Sequence, residues 1–320
     1  MLKNKRFTRF CALLLAALMI TLMVAGCSHK TEVVNTPEIQ EPAQVGEVKE
    51  AAIPTKMEGD DFNNGAIGQY GGVSSSTEYA SQVGIDILKA GGNAVDAAVA
   101  TAFAVGVTEP NLSGIGGCGM MNIYLKDSNE YIILEYMETV PMNVTPGWFN
   151  KDTDSSTAKN AAVPSQVHGL LTALEKYGTM TRQEVMAPAI KLAREGFIVD
   201  ERLAEAIANS YDIFSQPGNE YLLELYTNDG IPYAAGDLFK NEDLANTLQA
   251  IADGGIEEFY TGELAKTIVE GLQAGGSLIT MEDMANYKTA IREPLRTTYH
   301  GYEVIVPPPP SNGGNWLLEM

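Results

Sequence analysis

From Ala94 to Val107 almost every residue is small or apolar, and this run leaves the chain few ways to fold. A helix of that composition has no solvent face, so it is expected to lie buried on all sides. Its beginning is marked twice. Gly91-Gly92 ends the preceding helix, and Asn93 caps the new one with Asp96 in its first turn, where the helix dipole favours a negative charge. Its end is marked by Pro110 and by the glycine-rich Gly114-Ile115-Gly116-Gly117-Cys118-Gly119, which leads into a strand from Met120 to Leu125. Helix, glycine turn and strand together form the centre of a sizeable core.

The glycine cluster matches G-x-G-x-x-G, but a dinucleotide site needs strand, glycines and helix in that order, and here the order is reversed. Close backbone packing where the chain turns into a sheet is the expectation instead.

The flanking sequence sorts into recognisable elements. Tyr70 to Ser75 reads as a short strand, and Thr77 caps a helix whose Ala80, Val83, Ile87 and Leu88 share a face. Met120–Leu125 and Tyr131–Tyr136 read as a β-hairpin across Lys126 to Glu130. Helices are expected over 164–178, from the capping box Thr181-Arg182-Gln183-Glu184 to Gly196, from Asp200 to Ser210, and over 244–253 and 261–274. A short one follows Thr280. A second hairpin is expected around His300-Gly301, ahead of Pro307 to Gly314. Strands at both ends with helices between imply an α+β sandwich lacking some of its parts.

The N-terminus reads as a targeting segment. Lys3 to Arg9 is basic, Cys11 to Ala25 is apolar, and Val24-Ala25-Gly26-Cys27 resembles the bacterial lipobox. That resemblance implies a signal peptide over 1–26, cleavage before Cys27 and lipidation of its sulfur. The mature protein would then be extracytoplasmic and anchored to a bacterial membrane without crossing it. Residues 27–65, poor in aromatics and rich in Glu, Pro, Thr and Val, read as a flexible tether, with the folded region over 66–320. Acidic residues outnumber basic ones 41 to 21, and four of the basic ones lie in the leader. Nucleic acid is therefore excluded as a partner, since phosphate binding needs a cationic face.

Few residues are candidates for chemistry. His29, His168 and His300 have no metal-ligand companions at useful spacing, so neither metal nor cofactor is expected. With Cys11 in the leader and Cys27 lipidated, Cys118 stands alone and is read as a small buried residue. Glu135-Tyr136-Met137-Glu138 closes the second strand, where carboxylates can either meet a substrate amine or form a solvated edge.

Several ordered stretches resemble the large subunit of the γ-glutamyltransferases, also called glutathione hydrolases. They are Gly91 to Ala98 with Gly116 to Gly119, Val83 to Leu88, Lys176 to Met180, Lys191 to Phe197, Glu258 to Gly262, and Pro308 to Gly314. The resemblance implies an N-terminal-nucleophile hydrolase fold, an αββα sandwich that is incomplete in this chain. It implies a precursor that cuts itself and exposes a threonine, whose own amine serves as base. The substrate would be a γ-glutamyl amide such as glutathione, and the acceptor water or an amino acid. The family's threonine lies downstream of the proline-glycine loop, so no catalytic residue is assigned in this chain. The small subunit of the same precursor would supply nucleophile and oxyanion hole, and the 320 residues alone are expected to be inactive.

The family also places an arginine after the second strand to grip the donor's α-carboxylate. Met137 stands there, next to Glu138, and both are taken as substrate-contacting positions. Losing a charge-assisted bond of about 1.5–3 kcal/mol weakens binding by roughly 10- to 150-fold. A methionine wall suits a less polar acyl group. The competing reading is an extracytoplasmic solute- or peptide-binding lipoprotein, an inactive member of the family.

Overall fold

The computed structural model describes residues 68–155 and 157–319, all within one compact unit spanning 52–320. The signal peptide and the whole of the tether, Cys27 and His29 included, lie outside the described residues. Helix α1 is Glu78–Lys89 and α2 is Ala94–Thr108, followed by strands β1 (Gly119–Leu125) and β2 (Glu130–Tyr136). Next come a single turn α3 (Lys151–Asp154), α4 (Gln166–Tyr177) and α5 (Arg182–Glu195). Strand β3 (Phe197–Ile198), helices α6 (Glu201–Phe214) and α7 (Glu220–Tyr226), and strands β4 (Thr227–Asn228), β5 (Ile231–Pro232) and β6 (Leu238–Phe239) form a peripheral excursion. The chain then runs through α8 (Glu242–Tyr260), α9 (Glu263–Ala274), α10 (Met281–Asn286), β7 (Ala290–Arg292), β8 (Leu295–Tyr299), β9 (Tyr302–Val306) and α11 (Asn312–Glu319).

Helix α2 is the hub. It packs against α1, α4 and α5, while α5 packs on α8 and α4 lies against β2. Val99, Ala100 and Ala104 are wholly buried, but Ala94 and Ala98 are exposed and Ala102 and Val105 only partly covered. The expectation of burial on all sides is therefore corrected. These four residues recur at helical spacing and form one apolar stripe that no described residue seals.

The start of α2 is a full capping box. Asn93 Oδ1 accepts from the Val95 and Asp96 amides, and Asp96 Oδ2 accepts from the Asn93 amide at 2.8 Å. Asp96 also reaches across the fold, where Oδ1 accepts from the amides of Thr179 at 2.9 Å and Met180 at 3.1 Å, and Oδ2 from the Thr179 hydroxyl at 2.7 Å. Asn93 Nδ2 donates to the Tyr177 carbonyl at 2.7 Å. One cap thus ties α2 to the loop after α4. Gly178 ends α4 because the chain must pass close to Asp96, and a Cβ there would stand 2.6 Å from Asp96 Oδ1.

Strands β1, β2 and β7 form an antiparallel sheet with β2 in the middle, Gly119 opposite Tyr136 and Leu134 opposite Ile291. The β8–β9 hairpin turns at His300 and Gly301, both at positive φ, as a two-residue hairpin turn demands. Both expected hairpins are present. The expected strand over Tyr70–Ser75 is absent, since those residues pair with no described strand. Strand β7 was not anticipated, because its three residues carry no alternation of their own and are ordered by pairing with β2. The architecture is α+β, with helices packed on a short antiparallel sheet.

Candidate active site

The glycine turn and the end of β2 converge on the start of α4. Gly117 O accepts from the backbone amides of Ser165 and Gln166 at 3.1 and 2.9 Å, and from Ser165 Oγ at 3.1 Å. The same hydroxyl lies 2.7 Å from the Tyr136 carbonyl. A Cβ on Gly117 would meet Gln166 Oε1 at 2.8 Å, and one on Gly119 would meet the Tyr136 ring at 2.8 Å. The glycines are there for close approach, as the order of elements implied.

Tyr136 is pinned on its far side by α4, where a Cβ on Gly169 would stand 2.0 Å from Tyr136 Cγ. Burial pushes the Tyr136 phenol up to about 12. One residue on, the Met137 carbonyl accepts from the Tyr287 hydroxyl at 3.0 Å. Tyr287 is buried and its phenol is likewise pushed up to about 12, chiefly by burial, so it remains a donor at neutral pH. Ser165 and Tyr287 therefore hold two successive carbonyls, and with them the direction in which residue 137 points.

Met137 is half-buried, and Glu138 is exposed. A hydrogen bond from the Cys118 thiol holds Glu138 below the ordinary carboxylate range. Cys118 is raised to about 11 by partial desolvation of its sulfur first and by Glu138 second. The residue itself is exposed, which corrects the expectation of a buried cysteine. It sits at the rim, where the glycine turn enters β1, rather than inside the core.

Glu135 completes the cluster. Its Oε2 is sealed from solvent with no hydrogen-bond partner among the described residues, and Arg292 Nε lies 3.8 Å away. Arg292 also donates from Nη2 to the Pro309 carbonyl at 3.2 Å. A local scan of the sequence around Met137 finds no arginine, yet the β2–β7 pairing brings one to this strand. The clamp formed by Ser165 and Tyr287 was equally missed, since their spacing from residue 137 carries no signal. Among the described residues no group of three or more His, Cys, Asp or Glu side chains is placed to hold a metal ion.

Residues 80–320 match the family model described as Gamma-glutamyltranspeptidase. The glutathione hydrolase proenzyme of Bacillus subtilis (strain 168) is 38% identical over 279 residues, covering 85% of this chain and 47% of that relative. The acylase ACY 1 proenzyme of Pseudomonas sp. (strain V22) is 37% identical over 269 residues, covering 80% and 48%. The crystal structure of Helicobacter pylori gamma-glutamyltranspeptidase superposes with a TM-score of 0.74 at 35% identity, covering 79% of this chain and 74% of that one. The chain thus spans about half the length of those two sequence relatives. The fold is that of the N-terminal-nucleophile hydrolases of this family.

Proposed function

The chain belongs to the gamma-glutamyltranspeptidase family, and on that footing we propose that it serves amide acyl transfer or hydrolysis as the large-subunit part of a self-processing precursor. The observation that carries this is the family match over residues 80–320. The donor would be a γ-glutamyl amide such as glutathione, and the acceptor water or an amino acid. An N-terminal threonine, outside this chain, would attack the amide and use its own amine as base. This chain would contribute the wall around Met137 and Glu138.

Met137 favours a second donor class. No guanidinium is supplied by the strand end itself, and Arg292 is engaged with Glu135 and the Pro309 carbonyl. A thioether wall beside two carboxylates disfavours the donor's α-carboxylate and suits a less polar acyl group. That one relative is an acylase proenzyme supports the same direction.

The test is a precursor extended to the length of the relatives, assayed on a γ-glutamyl anilide and on a butyryl anilide. Met137→Arg should raise kcat/KM for the γ-glutamyl donor by roughly 10- to 150-fold and leave the butyryl donor unimproved. No gain, or a loss, would mean that the carboxylate is held elsewhere. The 320-residue chain alone should release no anilide above the blank.

The leader carries a separate proposal. Residues 1–26 act as a signal peptide, Cys27 is lipidated, and residues 27–65 tether the enzyme to the outer side of a bacterial membrane. The support is the order of basic, apolar and small residues before Cys27. Cys27→Ser should move the protein from the membrane fraction to the soluble one.

A further inference from the structure

A cavity of about 900 Å³ is lined by residues of α4, α5, α8 and the segment before β7. Its buried polar feature is His168, which is 8% exposed. Among the described residues, every hydrogen bond of this ring is made at one nitrogen. Nδ1 lies 2.8 Å from Thr289 Oγ1 and 3.1 Å from Thr172 Oγ1, and the Thr289 backbone amide points at it from 3.4 Å. A backbone N–H can only donate, so Nδ1 is the acceptor and Nε2 carries the proton. Burial, and then the nearby Lys288 charge, hold the ring below the ordinary histidine range, which keeps it in this neutral form at pH 7.

Nε2 has no partner among the described residues. His168 itself lines the cavity. Tyr260 and Tyr287 each meet the ring edge-to-face at 5.4 Å and stack on one another at 5.8 Å, so both press on it from one side. The imidazole is thus locked in place with one N–H left to offer.

Three cations line the same cavity: Lys176, Arg182 and Lys288. None has a carboxylate within 4.0 Å among the described residues. Arg182 spends Nε and Nη2 on the Ala252 and Asp253 carbonyls. Glu175 and Glu257 also line the space; like Lys176 and Lys288 they are exposed, and they pair with no cation among the described residues. In a chain of net charge −20, a cavity lined by three cations and two carboxylates carries a local excess of positive charge. We propose that this cavity is a binding site for a small oxyanion, a carboxylate or a phosphate, which accepts from His168 Nε2–H and is balanced by Lys176 and Lys288.

Tyr287 connects the two places, since it packs on His168 and donates to the Met137 carbonyl, but oxyanion binding does not depend on the proposed reaction and can be tested without turnover. The full chain, labelled with ¹⁵N at histidine, is titrated with inorganic phosphate and separately with acetate, against chloride at matched ionic strength. The His168 signal is assigned by its loss in His168→Gln. We expect it to shift saturably with at least one oxyanion, and Lys288→Ala to weaken that binding at least fivefold. Lys191→Ala, on the outer face of α5, should not weaken it. Saturation by phosphate alone or by acetate alone identifies which oxyanion the site takes. A shift that chloride reproduces, or one that Lys176→Ala and Lys288→Ala leave unchanged, overturns the proposal. If His168→Gln does not fold, the two lysine variants decide the matter on the wild-type ring.

Discussion

Asp96 offers the sharpest test of how this fold is held. It is wholly buried and takes hydrogen bonds from the Asn93, Thr179 and Met180 amides and from the Thr179 hydroxyl. Burial alone would raise its pKa, but these bonds outweigh it and hold the carboxyl below its ordinary value. Asp96→Asn keeps the shape and changes the chemistry. The amide oxygen can serve the Thr179 and Met180 amides in place of Oδ1. The new NH₂ group replaces Oδ2 and faces the Asn93 amide, so two donors oppose each other. The Thr179 hydroxyl can turn to accept, whereas the Asn93 amide cannot. One buried amide left unpaired costs about 1–3 kcal/mol, and weakening the remaining bonds to neutral strength costs about 1 more. The expected loss of about 2–4 kcal/mol corresponds to a Tm drop of roughly 5–15 °C for a unit of this size.

Urea and thermal unfolding followed by far-UV circular dichroism would measure it. The pH dependence adds a second signature. The folded pKa is lower than the unfolded one, so the stabilisation is complete above the ordinary carboxylate value of about 4. It is lost as pH falls through the lowered folded value. The deficit of Asp96→Asn should therefore be full at pH 7 and shrink as both proteins are acidified. A loss below about 1 kcal/mol at pH 7 would refute the claim that this carboxylate joins α2 to the 178–180 loop.

Other perturbations follow from the same geometry. Gly169→Ala should destabilise by about 3 kcal/mol, because the new methyl overlaps the Tyr136 ring; combined with Tyr136→Ala it should cost little more than Tyr136→Ala alone. Ser165→Ala should cost about 1–2 kcal/mol, since it strips a buried donor from the Tyr136 carbonyl. With Cys11 and Cys27 replaced by serine, Cys118 should alkylate roughly 100-fold more slowly at pH 8.5 than an unperturbed thiol, and Glu138→Gln should speed it up. A Cys118 that reacts at the unperturbed rate would show that neither desolvation nor Glu138 raises its thiol.

Local chemistry was legible wherever a residue acts on its near neighbours. Asn93 and Asp96, Thr181 and Glu184, and Thr280 and Asp283 all announce helix starts, and each pair closes the reciprocal cap its spacing allows. His300-Gly301 announces a hairpin because few residues tolerate positive φ at both turn positions. The glycines before β1 announce tight packing, though not what they pack against. Cys118 misled because apolar neighbours in sequence said nothing of its place at a rim.

What remained illegible depends on pairs far apart in the chain. Asp96 reads as a first-turn acid, yet three of its donors come from residues 179 and 180. Met137 reads as a residue with no arginine near it, yet β7 places Arg292 beside Glu135. His168 reads as a lone histidine, yet Thr172, Thr289 and two tyrosines fix its ring at a cavity with three cations. Short-range spacing determines caps, turns and the buried helix, because those depend on dihedral preferences and hydrogen bonds within a turn or two. Which carbonyls Ser165 and Tyr287 hold, and which charges share one pocket, only the packing of α4 against β2 and α8 could decide. Desolvation and long-range pairing are properties of the assembled layers and of no single stretch of chain.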